Sequence, residues 1–485
     1  MELEIASLQH NFIGGDWLSN PAANRIKVNN PSTLEILGSV PDHGREEADK
    51  AITAATRCFQ EWGSASPTLR EEVLRRAADL MEANRDDIAR IITLEQGKPI
   101  EESRGEIEYG VNFVRWYAAE ARRMYGEIVP ATDTAKRQLV FREPVGPVLL
   151  ISAGNDPFAM ITRKGAPALA AGCPLIVKPH RETPFTAMAV AAIFHEAGLP
   201  SGGINVLTTS ASAEISEHLL SDPKIRHLTF TGSSAVGLAL GSIAGGYMKG
   251  MTMELGGHAP FIVFDDANLD MATDDLVSRK FTNAGQTCSC PARIFLHTSV
   301  ARSFKEKFVE KVTTKVTVGD GFDPLVTMGP MQNQGALDKV EHHLEDALIK
   351  GAKLLCGGKR VDELPGYFFT PTVIDSASDE MHIMQQETFG PVAAFTEFTT
   401  DEELFSRMNH PEYGLTGYCY TGQVDRMFQV VDRLRCGFIG VNDRRPQGAE
   451  VPMGGIGLSG IGREGGHWGL EEFTHIKYVS IKTST

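Results

Sequence analysis

The sequence predicts an α/β protein built on parallel sheets. Short β-forming runs alternate with longer stretches of helical periodicity from residue 148 onward, and a second such series begins after residue 256. The chain of 485 residues is long enough for two or three domains. Such repetition is typical of right-handed βαβ units, whose parallel sheets bind ligands at the carboxyl ends of their strands.

The first predicted element is a helical layer, from periodicity over 45–62 and 68–96, and residues 128–142 are predicted to be extended. The strands of the first series are predicted at 148–152, 175–178, 204–207 and 227–230, and its helices at about 159–171, 184–197, 213–221 and 234–244. The second series is predicted as strands at 260–264 and 293–296 and helices over 269–282 and about 299–315. The tail 472–481 alternates in polarity, which fits an edge strand of the core and a strand between subunits equally well.

Composition restricts the partners and the compartment. The 47 basic and 62 acidic residues give a net charge of −15, which disfavours nucleic acid and anionic membranes. Seven cysteines, an odd number, indicate reduced thiols rather than a disulfide framework, and no cysteine–histidine cluster indicates a structural metal. The amino terminus lacks the pattern of a secretory leader, and no run approaches eighteen apolar residues. We therefore expect a cytoplasmic protein without a metal, a nucleic-acid partner or a membrane partner.

Two short segments suggest covalent chemistry. Glu254 is followed by Leu255 and a Gly-Gly pair, and Cys288 closes the segment Gly-Gln-Thr-Cys. A cysteine in a glycine-flanked turn suits a thiolate nucleophile, and a glutamate beside two glycines suits a general base. On the residues alone, a buried inert cysteine and a salt-bridged glutamate remain alternatives.

Residue for residue, these segments resemble the catalytic motifs of the aldehyde dehydrogenase superfamily, whose members oxidise aldehydes to acids through an enzyme thioester. The resemblance runs from about residue 10 to the end of the chain. It implies a Rossmann-type parallel-sheet cofactor domain, an α/β catalytic domain and a small β oligomerisation arm that pairs across a dimer. The implied bounds are 1–126 and 144–255 for the cofactor domain, 256–462 for the catalytic domain, and 127–143 and 463–485 for the arm. A homodimer or homotetramer is expected.

The resemblance also implies the catalytic roles. It makes Cys288 the nucleophile and Glu254 the base that activates water for thioester hydrolysis, so that the product is a free acid. It makes the amide of Asn155 part of the oxyanion hole. The loop departs from the common Pro-Trp-Asn-Phe-Pro pattern, because Ala153 and Gly154 precede Asn155 and Asp156 follows it. A turn-forming asparagine is the alternative interpretation.

Cofactor contacts are expected after the strand that ends at Lys178. In the family a lysine here binds adenosine ribose, and a glutamate three positions later usually holds the ribose hydroxyls of NAD. This chain has Arg181 at that position, beside His180. Because two basic groups near Lys178 suit a 2′-phosphate, we expect NADP, with NAD as the alternative. A solvated basic turn would select neither.

Further cofactor positions follow from the resemblance. The segment from Gly232 and Ser233 to Gly237 follows a predicted strand, opens a helix and matches the family's pyrophosphate segment. Glu387 matches the family residue that binds the nicotinamide ribose, and Phe389 matches the residue that packs near the nicotinamide ring. Leu255 is assigned to the same site.

Arginines around the expected pocket bear on the choice of substrate. Within the superfamily the chain most resembles the succinate semialdehyde dehydrogenases, which hold the distal carboxylate of the substrate with arginines. Arg163 falls on one such position, but Thr282 replaces the second arginine. A neighbouring loop offers substitutes, namely Arg444, Arg445 and Gln447. As the alternative interpretation, Arg163 is an ordinary ion-paired helix residue, and Arg444 and Arg445 face solvent.

The prediction is thus an NAD(P)-dependent oxidation of a small anionic semialdehyde resembling succinate semialdehyde. The displaced arginines leave sulfolactaldehyde or another anionic aldehyde as alternatives. From other classes, a cysteine esterase without redox chemistry and a catalytically silent binding protein remain. Cys290, two residues after Cys288, suggests an inhibitory disulfide as a further hypothesis.

Overall fold

The computed structural model describes residues 3–18 and 24–482. The elements of its first half are β1 (Asn11–Ile13), β2 (Asp16–Leu18), β3 (Arg25–Asn29), β4 (Ile36–Pro41), α1 (Arg45–Trp62), α2 (Pro67–Ala83), α3 (Arg85–Gln96), α4 (Ile100–Glu120), β5 (Glu127–Val129), β6 (Lys136–Pro144), β7 (Val148–Ile151), α5 (Pro157–Ala171), β8 (Leu175–Lys178), α6 (Pro184–Glu196), β9 (Ile204–Val206), α7 (Ser212–Ser221), β10 (His227–Thr231), α8 (Ser234–Gly246) and β11 (Gly250–Glu254). Those of its second half are β12 (Ala259–Val263), α9 (Leu269–Phe281), β13 (Pro291–His297), α10 (Thr298–Lys315), α11 (Gln334–Ile349), β14 (Lys353–Cys356), β15 (Thr372–Asp375), α12 (His382–Gln385), β16 (Val392–Phe398), α13 (Asp401–Arg407), β17 (Tyr413–Gly414), β18 (Thr416–Tyr420), α14 (Val424–Arg433), β19 (Phe438–Val441), β20 (Ile456–Gly457), β21 (Gly460–Ile461), α15 (Gly466–Glu471) and β22 (Thr474–Lys482).

The first sheet has the strand order β2-β1-β9-β8-β7-β10-β11-β21. Strands β9, β8, β7, β10 and β11 run parallel to one another, and the first four are buried along their whole length. After the hairpin of β1 and β2 at one edge, the parallel part of the sheet begins at β7, extends through β8 and β9, and then returns to the other side of β7 with β10. At such a reversal, parallel sheets form a crevice at the carboxyl ends of the strands, where nucleotides bind.

Two helices beside this crevice are capped by distant glutamates. Both α5 and α6 begin with proline, and the residue before each proline makes no side-chain cap. Glu106 of α4 accepts the next two amides of α5 at 2.7 and 3.0 Å, and Glu95 of α3 accepts those of α6, each at 2.9 Å. A carboxylate at a helix start satisfies unpaired donors and faces the positive end of the helix dipole. The helical layer therefore orients the helices that frame the crevice.

The second sheet has the order β14-β15-β16-β13-β12-β18-β19, and all its pairs except β14–β15 are parallel. Separate hydrophobic cores support the two large sheets. The carboxyl end of β11 leads through a short loop to the amino end of β12, and the loop after α9 leads to the amino end of β13. These junctions bring the predicted catalytic segments between the two sheets.

A third, antiparallel sheet has the order β22-β6-β5. Strand β22 pairs with β6 over nine residues, and its side chains are mostly exposed. The tail is therefore not an edge of either core. Large apolar side chains stay exposed on this sheet, namely those of Ile128, Phe141, Ile476, Tyr478 and Ile481.

The α/β class, the parallel sheets and the predicted strands and helices of both series are confirmed, with ends that differ by a few residues. The helix predicted over 68–96 is two helices, because the backbone at Asn84 leaves the helical region and its side chain donates to the Leu80 carbonyl at 2.7 Å. The domain bounds stay a prediction, and residues 1–2 and 483–485 lie outside the described part of the chain. Within that described part, no helix combines the length and apolarity needed to span a membrane.

Candidate active site

Cys288 lies in a sharply turned loop after α9. Asn283, Ala284 and Gly285 have consecutive positive φ angles of 50, 53 and 75°. A side chain on Gly285 would collide with the carbonyl of Gly390, so glycine is needed for this close approach. The strained turn ends the helix and directs the Cys288 side chain back toward the carboxyl end of β11.

The thiol of Cys288 meets the carboxylate of Glu254, at the end of β11. Its Sγ donates to Glu254 Oε1 at 3.0 Å. The other carboxylate oxygen forms an ion pair with Arg163 of α5. Arg163 also pairs with Glu464, which in turn binds Lys164. The structure thus brings the predicted nucleophile and base into contact and holds the base with a buried arginine.

Burial raises the pKa of the Cys288 thiol to about 11. The positive charges of Arg163 and Arg279 lower this pKa, whereas the negative charges of Asp156 and Glu387 raise it. At neutral pH the resting side chain is therefore a thiol. A thiol that donates to a carboxylate needs that carboxylate to take its proton before it can attack.

Asn155 reaches the same loop from the other side. Its side-chain N–H groups donate to the Gln286 carbonyl at 3.0 Å and to Asp156 Oδ2 at 3.1 Å. The amide of Asn283 donates to the Asn155 carbonyl at 2.9 Å. Asn155 is therefore a rigid part of the Cys288 surroundings, and both its donors are engaged. A Cβ at Gly154 would collide with Gln332 Nε2 and lie 2.7 Å from His180 Nδ1, so a larger residue here would displace these side chains.

The sequence did not reveal the partner of Asp156. Its Oδ1 accepts from Lys98 Nζ at 2.6 Å, and the same ammonium binds Glu106 at 2.9 Å. Lys98 and Glu106 are buried, and Asp156 lines the cavity in front of Cys288. The only signal in the sequence was the unusual acid after Asn155, which did not indicate a lysine 58 positions away.

The predicted pyrophosphate segment lies at the strand reversal. Gly232 follows β10, and the Ser233 hydroxyl caps α8 by accepting the Val236 amide at 3.4 Å. A Cβ at Gly237 would collide with the Leu255 side chain. The amino end of α8 therefore closes tightly on the end of β11, with its amides toward the crevice, as a bound phosphate requires.

The predicted nicotinamide residues approach the catalytic loop. Glu387 Oε1 accepts the Gly257 amide at 2.9 Å, and a Cβ at Gly256 would lie 2.8 Å from the other oxygen. The Gly-Gly pair thus makes room for this carboxylate, whose pKa is raised by burial. Phe389 follows with a positive φ of 54°.

The basic residues after β8 surround the place expected for the adenosine ribose. Lys178 Nζ donates to Ser212 Oγ at 2.5 Å, and burial lowers the lysine pKa to about 8. Arg181 is exposed. Glu182 accepts the Asn333 side-chain amide at 3.0 and 3.2 Å, and its carboxylate lies 3.9 Å from His180 Nδ1. Among residues 3–18 and 24–482, Lys178 has no carboxylate within ion-pair distance, so its ammonium is able to donate to a bound nucleotide.

A cavity of about 390 Å³ opens onto Cys288. Of the predicted substrate residues, Arg163, Arg445 and Gln447 line it. Arg444 does not, because its guanidinium pairs with Asp275 at 3.0 Å. Thr282 lines the cavity, and so does Arg279, which sequence reasoning missed. Its position in the sequence could have indicated this role, because Arg279 precedes Thr282 by about one helical turn and so lies on the same helix face.

Cys290 contacts a different set of groups from Cys288. Its Sγ lies 3.4 Å from the buried Lys280 Nζ, and it lines a separate small cavity rather than that of Cys288. The disulfide between the two cysteines stays a prediction, and it would require the loop to rearrange.

Comparison with known proteins agrees with this geometry. The model of the aldehyde dehydrogenase family matches residues 17–479. The chain is 42% identical to the Escherichia coli (strain K12) succinate-semialdehyde dehydrogenase (NADP(+)), over 99% of this chain and 100% of that protein. It is 42% identical to the 3-sulfolactaldehyde dehydrogenase of Pseudomonas putida, over 99% of each. It is 41% identical to the glutarate-semialdehyde dehydrogenase of P. putida KT2440, over 99% of this chain and 100% of that one.

Solved structures give the same result. A succinate-semialdehyde dehydrogenase from Burkholderia pseudomallei superposes with a TM-score of 0.97 at 41% identity, over the full length of both chains. An NADP-dependent enzyme of E. coli gives the same TM-score and identity, over 99% of this chain and 100% of that one. The prediction of family, fold and nicotinamide cofactor is thereby confirmed: the chain belongs to the aldehyde dehydrogenase family and is an NAD(P)-dependent aldehyde oxidoreductase.

Proposed function

We propose that this enzyme oxidises a small anionic semialdehyde to the free acid, with NADP preferred to NAD. The observation that carries the proposal is the contact between Cys288 and Glu254 at a cavity lined by several arginines. The relatives act, by name, on succinate semialdehyde, glutarate semialdehyde and 3-sulfolactaldehyde, all of them anionic. The predicted cytoplasmic location and homodimeric or homotetrameric state belong to the same proposal.

The reaction begins when Glu254 takes the proton of the Cys288 thiol. The thiolate then attacks the aldehyde carbon, a C–S bond forms, and the carbonyl oxygen becomes an alkoxide. The Cys288 backbone N–H and an Asn155 side-chain N–H stabilise this alkoxide, for which Asn155 exchanges its present acceptor, Asp156, for the substrate. A nicotinamide held by Leu255, Glu387 and Phe389 would supply the hydride acceptor for oxidation of this Cys288 adduct to a thioester.

Glu254 releases the first proton to solvent and then serves again as the base in hydrolysis of the thioester. With its carboxylate held by Arg163 beside Cys288, it removes a proton from water, and the resulting hydroxide attacks the thioester carbon. The C–S bond breaks, the carboxylic acid leaves, and Cys288 regains its proton. This cycle needs one base at two steps, which agrees with the position of Glu254 in contact with the sulfur.

NADP preference rests on the basic residues after β8. Lys178, His180 and Arg181 would bind the 2′-phosphate, and the neighbouring Glu182 accepts from Asn333 and lies 3.9 Å from His180. Gly232, Ser233 and Gly237 would hold the pyrophosphate. Leu255, Glu387 and Phe389 would hold the nicotinamide and its ribose.

Sulfolactaldehyde is the second candidate substrate. It carries a hydroxyl beside the aldehyde, and Asp156 places a carboxylate in the cavity next to Asn155. A carboxylate accepts a hydrogen bond from a hydroxyl, whereas an unsubstituted semialdehyde offers it no donor. This carboxylate therefore supports sulfolactaldehyde as the alternative to succinate semialdehyde.

The test is the initial rate of nicotinamide reduction, with NAD and NADP each paired with succinate semialdehyde, glutarate semialdehyde, sulfolactaldehyde and butanal. We expect an anionic aldehyde with NADP to give the highest kcat/KM. Cys288→Ser should abolish turnover, and Glu254→Gln should lower kcat by about 100-fold or more. A preference for butanal would contradict the substrate proposal, and ester hydrolysis without nicotinamide reduction would favour the esterase.

A further inference from the structure

Four arginines lie in or beside the substrate cavity, and they differ in their partners. Arg163 is paired with Glu254 and Glu464, and Arg444 is paired with Asp275. In residues 3–18 and 24–482, neither Arg279 nor Arg445 has a carboxylate within ion-pair distance. Within these residues, Arg279 and Arg445 are therefore the cavity arginines without a direct ion pair, and Glu102 acts on Arg445 only at longer range.

These two arginines lie close enough to repel each other. Burial lowers the pKa of Arg445, and the positive charge of Arg279 lowers it further. Arg279 is partly buried and donates to the hydroxyls of Ser289 and Tyr418, whereas Arg445 is exposed. A partly buried guanidinium that is hydrogen-bonded to hydroxyls gains from an anion beside it, and an anion between the two groups would also reduce their mutual repulsion.

Two neutral groups complete the donor set. Ser289, next to Cys288, accepts hydrogen bonds from Arg279 and, at 2.9 Å, from the Gln447 amide. A hydroxyl has two lone pairs and one hydrogen, so the Ser289 O–H remains able to donate. The second N–H of the Gln447 amide is a further donor beside Arg445.

We propose that Arg279 and Arg445, assisted by Ser289 and Gln447, bind the anionic head group of the substrate, and that Arg163 instead positions the base Glu254. The inference rests on the proposed function and goes further, because it assigns charge recognition to Arg279. The chemistry recognised is a small oxyanion, either a carboxylate or a sulfonate. Guanidinium forks bind either group through two oxygens.

The first experiment compares KM with kcat for two variants. Arg279→Met should raise KM for the preferred anionic aldehyde by about 30-fold and leave KM for butanal within about twofold. Arg163→Met should chiefly lower kcat, for both substrates, because Glu254 loses the group that holds it. Arg302→Met, on the exposed face of α10, is the control and should change neither constant.

The second experiment needs no turnover. Succinate and methanesulfonate are added as separate probes while iodoacetamide alkylates Cys288. We expect one or both to protect the thiol in the wild-type enzyme but not in Arg279→Met or Arg445→Met. The probe that protects at lower concentration identifies the preferred head group. The Arg445 variant tests the same subsite if Arg279→Met does not fold.

Equal KM values for wild type and Arg279→Met, or an equal rise of KM for butanal, would overturn the inference. Unchanged protection in both arginine variants would overturn it as well. Failure of the proposed function is a distinct outcome, since wild-type enzyme would then prefer the uncharged aldehyde before any variant is compared.

Discussion

Asp156 places a negative charge near a sulfur that must become negative. Its charge adds to the effect of burial on the Cys288 pKa, which is about 11. The variant Asp156→Asn removes this negative charge and so stabilises the thiolate. The pKa of Cys288 should therefore fall by about one unit. The rate of alkylation of the Cys288 peptide by iodoacetamide, followed by mass spectrometry across pH, should shift to lower pH.

The control for this profile is Asp425→Asn, which removes an exposed acid at the start of α14. Its profile should coincide with that of the wild type. A profile of Asp156→Asn that is unchanged, or shifted to higher pH, would mean that the carboxylate does not act on the sulfur through its charge.

At the residue scale, the sequence was informative where chemistry is local. Cys288 and Glu254 could be predicted as a pair because each lies in a short motif, and the structure places them in contact. The partners of Arg163 and Asp156 could not be predicted, because they come from segments that are distant in the sequence. A guanidinium that binds a substrate and one that binds a buried glutamate have the same local sequence.

At the scale of elements, α5 depends on a cap from another helix. Glu106 accepts two of its first amides and also binds Lys98, all in buried surroundings. Glu106→Ala leaves the lysine and these amides without a partner and should lower the free energy of unfolding by about 3 kcal/mol. The measurement is the midpoint of urea unfolding by tryptophan fluorescence.

The matched control is Glu108→Ala, two residues along α4, where the side chain is exposed. It should change the midpoint little. Equal midpoints for both variants would show that the cap contributes no stability. The sequence could predict α5 and α6 from their helical pattern. It could not predict which carboxylates satisfy their amides, since Glu95 and Glu106 lie 52 to 91 residues away.

At the scale of the whole molecule, the alternation of strands with helices was sufficient to predict two parallel sheets. The junction between these sheets determines where Cys288 and Glu254 meet. The β-rich tail was ambiguous, because an edge strand of a core and a strand between subunits share the same alternation. The structure excludes the interpretation of the tail as an edge strand of a core, since β22 is exposed along most of its length. Its open edge and exposed Ile476 and Tyr478 are instead suited to a second copy of the chain.

Ile476 and Tyr478 lie on one face of β22, with exposed fractions of 65 and 55%. If that face contacts a second subunit, the double variant Ile476→Lys/Tyr478→Lys places two added charges on each side of a two-fold interface. Association of the subunits should then weaken by about 100-fold or more. Sedimentation velocity should then show a lower-mass species. His475→Lys adds a charge to the opposite face of the same strand, beside Glu143, and should leave the mass unchanged. Wild-type mass for the double variant would mean that this sheet is not the interface, because a buried apolar contact cannot accept unpaired ammonium groups without loss of affinity.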